Sequence, residues 1–169
     1  MIPGAVIRDA TPSDFVAILE LNAGSVQFLS PLTAERIERL HRMSAYHRVV
    51  DDDGAVAAFL LAFREGADYD SPNYAWFVER YSQFLYIDRI VAAPASRGRG
   101  FAALLYSDIA SYALHTAAPL LTCEFDLDPP NPVSMRFHER MGFREIGTQW
   151  LYGGTKKVSM QAKRLSTPR

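Results

Sequence analysis

Apolar residues recur along the chain with two different spacings, and the switches between them predict the elements. GAVIR (4–8) is a short apolar run that predicts a first strand. TPSD carries helix-start chemistry: Thr11 as cap, Pro12 in the first turn, Asp14 near the positive helix end. From Phe15 the positions Ile18, Leu19 and Leu21 follow helical spacing. A second helix is predicted from Thr33 to about Met43, with Ile37 and Leu40 on one face. YHRVV (46–50) and AVAAFLLAF (55–63) are β-prone runs around a DDDG hairpin turn.

Residues 66–82 break the pattern and predict a long loop, polar and turn-rich, yet holding Tyr69, Tyr74, Trp76, Phe77 and Tyr81. Those rings either form a binding element or cap one end of the core. QFLYIDRIVAAP (83–94) predicts a strand ending at Pro94, and a helix follows from Phe101 to about Thr116 with Phe101, Leu105, Ile109 and Tyr112 as its apolar face. PLLTCEFDL (119–127) predicts a buried strand. Asn131 and Pro132 start a last helix that stops at Gly142. FREIGTQWLY and TKKVSMQAKRL then close the chain as a hairpin about a Gly-Gly turn. The order β-α-α-β-β-β-α-β-α-β-β is that of one mixed α/β domain spanning residues 1–169, in which the strands near 85–92 and 120–125 run parallel because a helix crosses between them.

Composition narrows the function classes. Eighteen basic and 19 acidic side chains leave a net charge of −1, without the basic excess of a nucleic-acid binder. The first residues lack a signal-peptide pattern, no apolar stretch approaches membrane length, and Cys123 is the one cysteine. The expectation is a soluble cytoplasmic protein with no nucleic-acid or membrane partner. His41 and His47, six positions apart, do not fit a helical ligand pair, and no metal is expected.

SRGRGFAALLY (96–106) allows three readings: a phosphate cradle, an arginine-glycine segment for nucleic acid, or a flexible basic turn. A strand, a glycine turn and a helix start favour the cradle. The first helical amides lack internal partners and sit at the positive end of the dipole, and glycine lets an anion come close. The segment IVAAPASRGRGFA resembles the acetyl-coenzyme A signature R/Q-x-x-G-x-G/A of the GCN5-related N-acetyltransferases, filled by Arg97, Gly100 and Ala102. NPVSMRFHERMGF, one βα unit later, resembles that family's second signature.

The resemblance implies an acyl-coenzyme A N-acyltransferase fold with a splayed central parallel strand pair. It implies transfer of an acetyl group from acetyl-coenzyme A directly to an amine acceptor. The pyrophosphate would be held by Arg97, Gly98, Arg99, Gly100, Phe101 and Ala102, and the pantetheine arm by the backbone of Ile90, Val91 and Ala92, one amide polarising the thioester carbonyl. Asn131, Ser134 and His138 would line the cofactor side. His138 stands where the family usually carries the tyrosine that protonates the departing thiolate, so the acid is His138 or another group. In YIDRIV, alternation puts Tyr86, Asp88 and Ile90 on one face and Arg89 on the other, leaving Arg89 no partner for Asp88. The base is then Asp88, Tyr86 or a water they hold. A non-catalytic acyl-coenzyme A sensor on the same fold is the alternative, and the closing hairpin offers edges for a homodimer.

Overall fold

A computed structural model describes residues 2–166 of the chain. In order it contains β1 (Ala5–Asp9), α1 (Phe15–Ala23), α2 (Ala34–Met43), β2 (Tyr46–Asp52), β3 (Ala55–Arg64) and α3 (Pro72–Val78). Then follow β4 (Leu85–Ala92), α4 (Phe101–His115), β5 (Leu120–Asp128), α5 (Pro132–Arg140), β6 (Arg144–Leu151) and β7 (Lys156–Arg164). Among the described residues the strands form a mixed seven-stranded sheet in the order β1-β2-β3-β4-β5-β7-β6. β4 and β5 run parallel, Leu85 beside Leu121 and Tyr86 beside Thr122, as the crossover helix required. No described helix is long and apolar enough to cross a membrane.

One element corrects the expected order: residues 66–82 are not a continuous loop but contain α3. Its start signals are ordinary. The Ser71 side chain accepts from the Tyr74 amide, and Pro72 fills the first helical position. Seven residues make fewer than two turns, too few for a period to stand out. Tyr74 and Phe77 are buried, their rings 5.6 and 5.7 Å from that of Tyr86, so these two cap the core.

Residue contacts group the chain into two compact units that interleave in sequence. The first comprises the chain through Phe63 together with Asp88–Ile109. Its apolar centre joins Ile18 of α1, Ile37 of α2, Val49 of β2, Phe59 of β3 and Val91 of β4. The turn into α1 is fixed by Asp14, which accepts from the Thr11 amide at 2.8 Å and takes two bonds from the Arg8 guanidinium at 2.8 and 2.9 Å. The second unit comprises Arg64–Ile87 and the chain from Ala110 onward. There the antiparallel registers set Glu124 opposite Met160 and Met160 opposite Gly147, and Asp126 opposite Val158 and Val158 opposite Gln149. Directly opposed residues share a face, so Glu124 and Asp126 lie on the face that α3 covers. The Trp76 ring packs so close to Gly147 that a Cβ there would meet it at 2.6 Å. Phe125 faces the other way and stacks on His138 of α5, centroids 5.7 Å apart.

His41 and His47, separated in sequence, meet in the first unit with their Nδ1 atoms 2.8 Å apart. Phe15 and Phe59 pack around the pair. Such a bond holds one proton between two nitrogens, so two charged rings cannot keep it. Burial, with His41 adding to it, pushes His47 down to about 4. The unfolded chain therefore binds this proton at higher pH than the folded one. The contribution is fully present above about 6.5 and is lost as pH falls through about 4, a loss of about 3 kcal/mol from this group. Urea unfolding at pH 7, 5 and 4 should show that decline, and His47→Phe should flatten it; an equal slope in the variant would assign the decline elsewhere.

Candidate functional site

The turn expected to hold phosphate begins where β4 ends. The Ala93 amide donates to the Ala57 carbonyl at 2.8 Å, and a 3-10 turn at Pro94–Ser96 swings the chain toward α4. Gly98 and Gly100 both adopt positive φ, +78° and +83°, which other side chains resist. A Cβ at either position would meet nothing of the protein within 4 Å. Backbone conformation, not crowding within the chain, demands glycine, and the surface beside it is open to a ligand. Gly100 accepts from the Leu104 amide at 3.0 Å, which leaves the amides of Phe101, Ala102 and Ala103 without a carbonyl inside α4. Arg97 is exposed beside them. Arg99 differs: both of its terminal nitrogens bond the Asp52 carboxylate, and its guanidinium lies over the Phe101 ring at 4.6 Å. The residues fit an anionic pyrophosphate, with Arg97 and the helix amides as direct donors and Arg99 tying the turn to the β2–β3 hairpin.

On β4 the structure corrects one expectation. Arg89 does reach Asp88: its Nε donates to Oδ2 at 2.7 Å, with the two side chains 3 and 6% exposed. Alternation governs only the Cβ directions, and a three-methylene stem carries the guanidinium beyond them. The remaining nitrogens donate to Asn22 Oδ1 at 3.0 Å, to the Ser30 carbonyl at 3.1 Å and to Ser30 Oγ at 3.1 Å. Asp88 thus serves as the counterion of a buried guanidinium that fastens α1 and the segment before α2. Ile90 and Ala92 are half-buried and Val91 buried, at the strand's end.

Tyr86, the other candidate on β4, is fully buried and donates to a residue that sequence reasoning passed over. Its hydroxyl lies 2.9 and 2.8 Å from the two oxygens of Glu124 on β5. Asn73 of α3 donates to the same carboxylate at 3.1 Å, and Gln149 of β6 donates to the Asn73 carbonyl oxygen at 3.0 Å. Glu124 is half-buried. One signal was available: a glutamate within a strand predicted to be buried is costly unless it is hydrogen-bonded or used.

Asn131 caps α5, its Oδ1 accepting from the Ser134 amide at 3.2 Å. Ser134 and His138 meet as their spacing implied, Oγ to Nδ1 at 3.2 Å. The nearer partner of Nδ1 is the Ser134 carbonyl at 2.8 Å, which can only accept. The ring proton therefore sits on Nδ1, and Nε2 carries a lone pair. Burial between Phe125, Phe137 and Phe143 pushes His138 below its ordinary value, so the ring is neutral near pH 7. The Cys123 thiol is buried and pushed well above the ordinary range, a poor nucleophile.

The profile of the acetyltransferase (GNAT) family matches residues 14–143, and the chain belongs to that family. No curated protein matches it by sequence. Among solved structures it is similar to Ard1 from Thermoplasma volcanium, at TM-score 0.80 and 16% identity, over 97% of this chain and 99% of the other. It is also similar to the ribosomal-protein-S18-alanine N-acetyltransferase of Escherichia coli, at TM-score 0.72 and 13% identity over 98% and 96% of the two chains. A third is yncA from Salmonella typhimurium, solved with its cofactor acetyl-CoA, at TM-score 0.72 and 16% identity over 96% and 95%. At these identities the likeness is one of fold.

Arg89 gives a stability prediction. Arg89→Met should cost about 3–5 kcal/mol, because it removes the guanidinium from beside the buried Asp88 carboxylate. Urea unfolding at neutral pH measures it, and a loss below about 1 kcal/mol would show that Asp88 finds solvent or another partner.

Proposed function

We propose that the chain moves an acetyl group from acetyl-coenzyme A to a primary amine by direct transfer. Family membership supports acetyl transfer. The observation that carries the amine acceptor is the Glu124 carboxylate, held on β5 by the Tyr86 hydroxyl and the Asn73 amide. Such a group can receive an ammonium by charge and take its proton.

Arg97 and the amides opening α4 would hold the pyrophosphate, and the backbone of Ile90–Ala92 would receive the pantetheine arm. When bound, acetyl-coenzyme A supplies an activated thioester, whose C–S bond breaks as the amine nitrogen forms the new C–N bond. Glu124 accepts the proton that leaves the nitrogen. Tyr86 donates to the Glu124 carboxylate and keeps it in place. Asp88 balances Arg89, which makes Glu124 the better base. His138, pushed below its ordinary value by burial, would be a weak proton source for a departing thiolate; thiols ionise near ~8.5, well below alkylammonium groups near ~10.4. The buried Cys123 thiol supports transfer without an acyl-enzyme.

A second reading, a chain that binds acyl-coenzyme A and transfers nothing, draws on that same neutral His138. Thiol release from acetyl-coenzyme A with alkylamines, polyamines and peptides bearing a free amino terminus separates the two. Release with any of them supports transfer. Tight binding with no release across the panel supports the sensor.

Two substitutions test the residue assignments. Arg97→Ala should weaken acetyl-coenzyme A binding about tenfold by calorimetry, in line with the ~1.5–3 kcal/mol of a charged hydrogen bond; unchanged affinity would remove Arg97 from the pyrophosphate. Glu124→Gln should lower kcat by about 10²-fold or more, within the general-base range of ~10²–10⁴, and leave cofactor affinity within about twofold. A larger loss of kcat in Asp88→Asn than in Glu124→Gln would return the base to β4.

A further inference from the structure

We propose that Asn73, itself held by Gln149, is a positioning residue that fixes the orientation of the Glu124 carboxylate for proton removal from the acceptor. The inference rests on the reading of Glu124 as the proton acceptor and adds to it the device that sets that group.

The Tyr86 hydroxyl has one proton and lies almost evenly between the two Glu124 oxygens, at 2.9 and 2.8 Å. By itself this contact does not choose between them. Asn73 does: its Nδ2 donates to Oε1 at 3.1 Å. An asparagine amide can present either end, and here the far end decides which. Gln149 Nε2 donates to Asn73 Oδ1 at 3.0 Å and lies 3.4 Å from the Pro72 carbonyl. Turning the Asn73 amide over would set its oxygen against the carboxylate and its NH₂ against the NH₂ of Gln149. Gln149 therefore acts through Asn73.

The helix carrying Asn73 is also anchored on either side of it. Ser71 caps the start. The Tyr74 hydroxyl donates to the Arg64 carbonyl at 2.6 Å and accepts from the Ala67 amide at 3.0 Å. Trp76 sits on Gly147, where no side chain could be accommodated without displacing the ring. Three fixed neighbours leave Asn73 little freedom to drift from Glu124. Groups that meet the carboxylate include Tyr86 from β4 and Asn73 from α3, and Asp126, two residues along the same strand, is bonded to Lys156 at 3.2 Å.

The test follows Glu124 itself. Protein labelled with ¹³C at glutamate side chains is titrated by NMR, the Glu124 signal being the one lost in Glu124→Gln. Asn73→Asp replaces a donor by a second carboxylate, so the Glu124 midpoint should rise by about one unit or more. Gln149→Ala, which keeps Asn73, should raise it by a few tenths of a unit, and it serves if Asn73→Asp folds poorly. With the best amine of the thiol-release panel, the acid limb of kcat/KM should move with the Asn73→Asp midpoint while KM for acetyl-coenzyme A stays within about twofold. Asn73→Ala/Gln149→Ala should lose no more kcat than Asn73→Ala, because one residue acts through the other. A Glu124 midpoint unmoved in both single variants overturns the positioning role, whatever the activity. A midpoint that moves in a protein releasing no thiol with any amine leaves the contact in place and overturns the acetyl-transfer reading on which the role depends.

Discussion

A guanidinium 3% exposed inside a β-strand must have its donors met, and much of the first unit is arranged to meet those of Arg89. Asp88 supplies the charge, Asn22 the side-chain carbonyl, and Ser30 both its carbonyl and its hydroxyl. Meeting these needs ties the end of α1 and the segment leading to α2 onto β4. The consequence runs along the chain. With β4 held in place, the turn at Pro94–Ser96 leaves from a fixed point, and the glycines that open α4 present their amides from it.

The second unit handles a charge differently. Glu124 accepts hydrogen bonds from a phenol and an amide, both neutral donors. Asp88 is matched to a guanidinium, whereas Glu124 accepts from Tyr86 and Asn73. His138 shows the same division. Surrounded by aromatic rings and with its proton given to Ser134, it packs α5 against β5.

Much of the fold was legible in the chain because it depends on near neighbours. Thr11 and Asp14, Asn131 and Pro132, and the glycines at 98 and 100 act within a few residues of themselves, and each is found where its local chemistry directs. The α3 helix escaped because it is short, although Ser71 and Pro72 announce its start. The geometry of the glycine turn was legible as well, since a strand, two glycines of positive φ and a helix start are contiguous in the chain. The role of Arg99 was not, because Asp52 approaches it from another hairpin.

By itself the sequence determined the strands and the long helices, the parallel placing of β4 and β5, the family, and the loop suited to phosphate. These follow from spacing, capping and turn chemistry, which act over a few residues. The tertiary structure alone decided which carboxylate balances a charge and which one faces a phenol, and that His41 meets His47. The physical reason is the same in each case. A side chain's partner is chosen by where strands and helices lie in space and by how far its stem reaches, and neither spacing nor alternation along the chain encodes that.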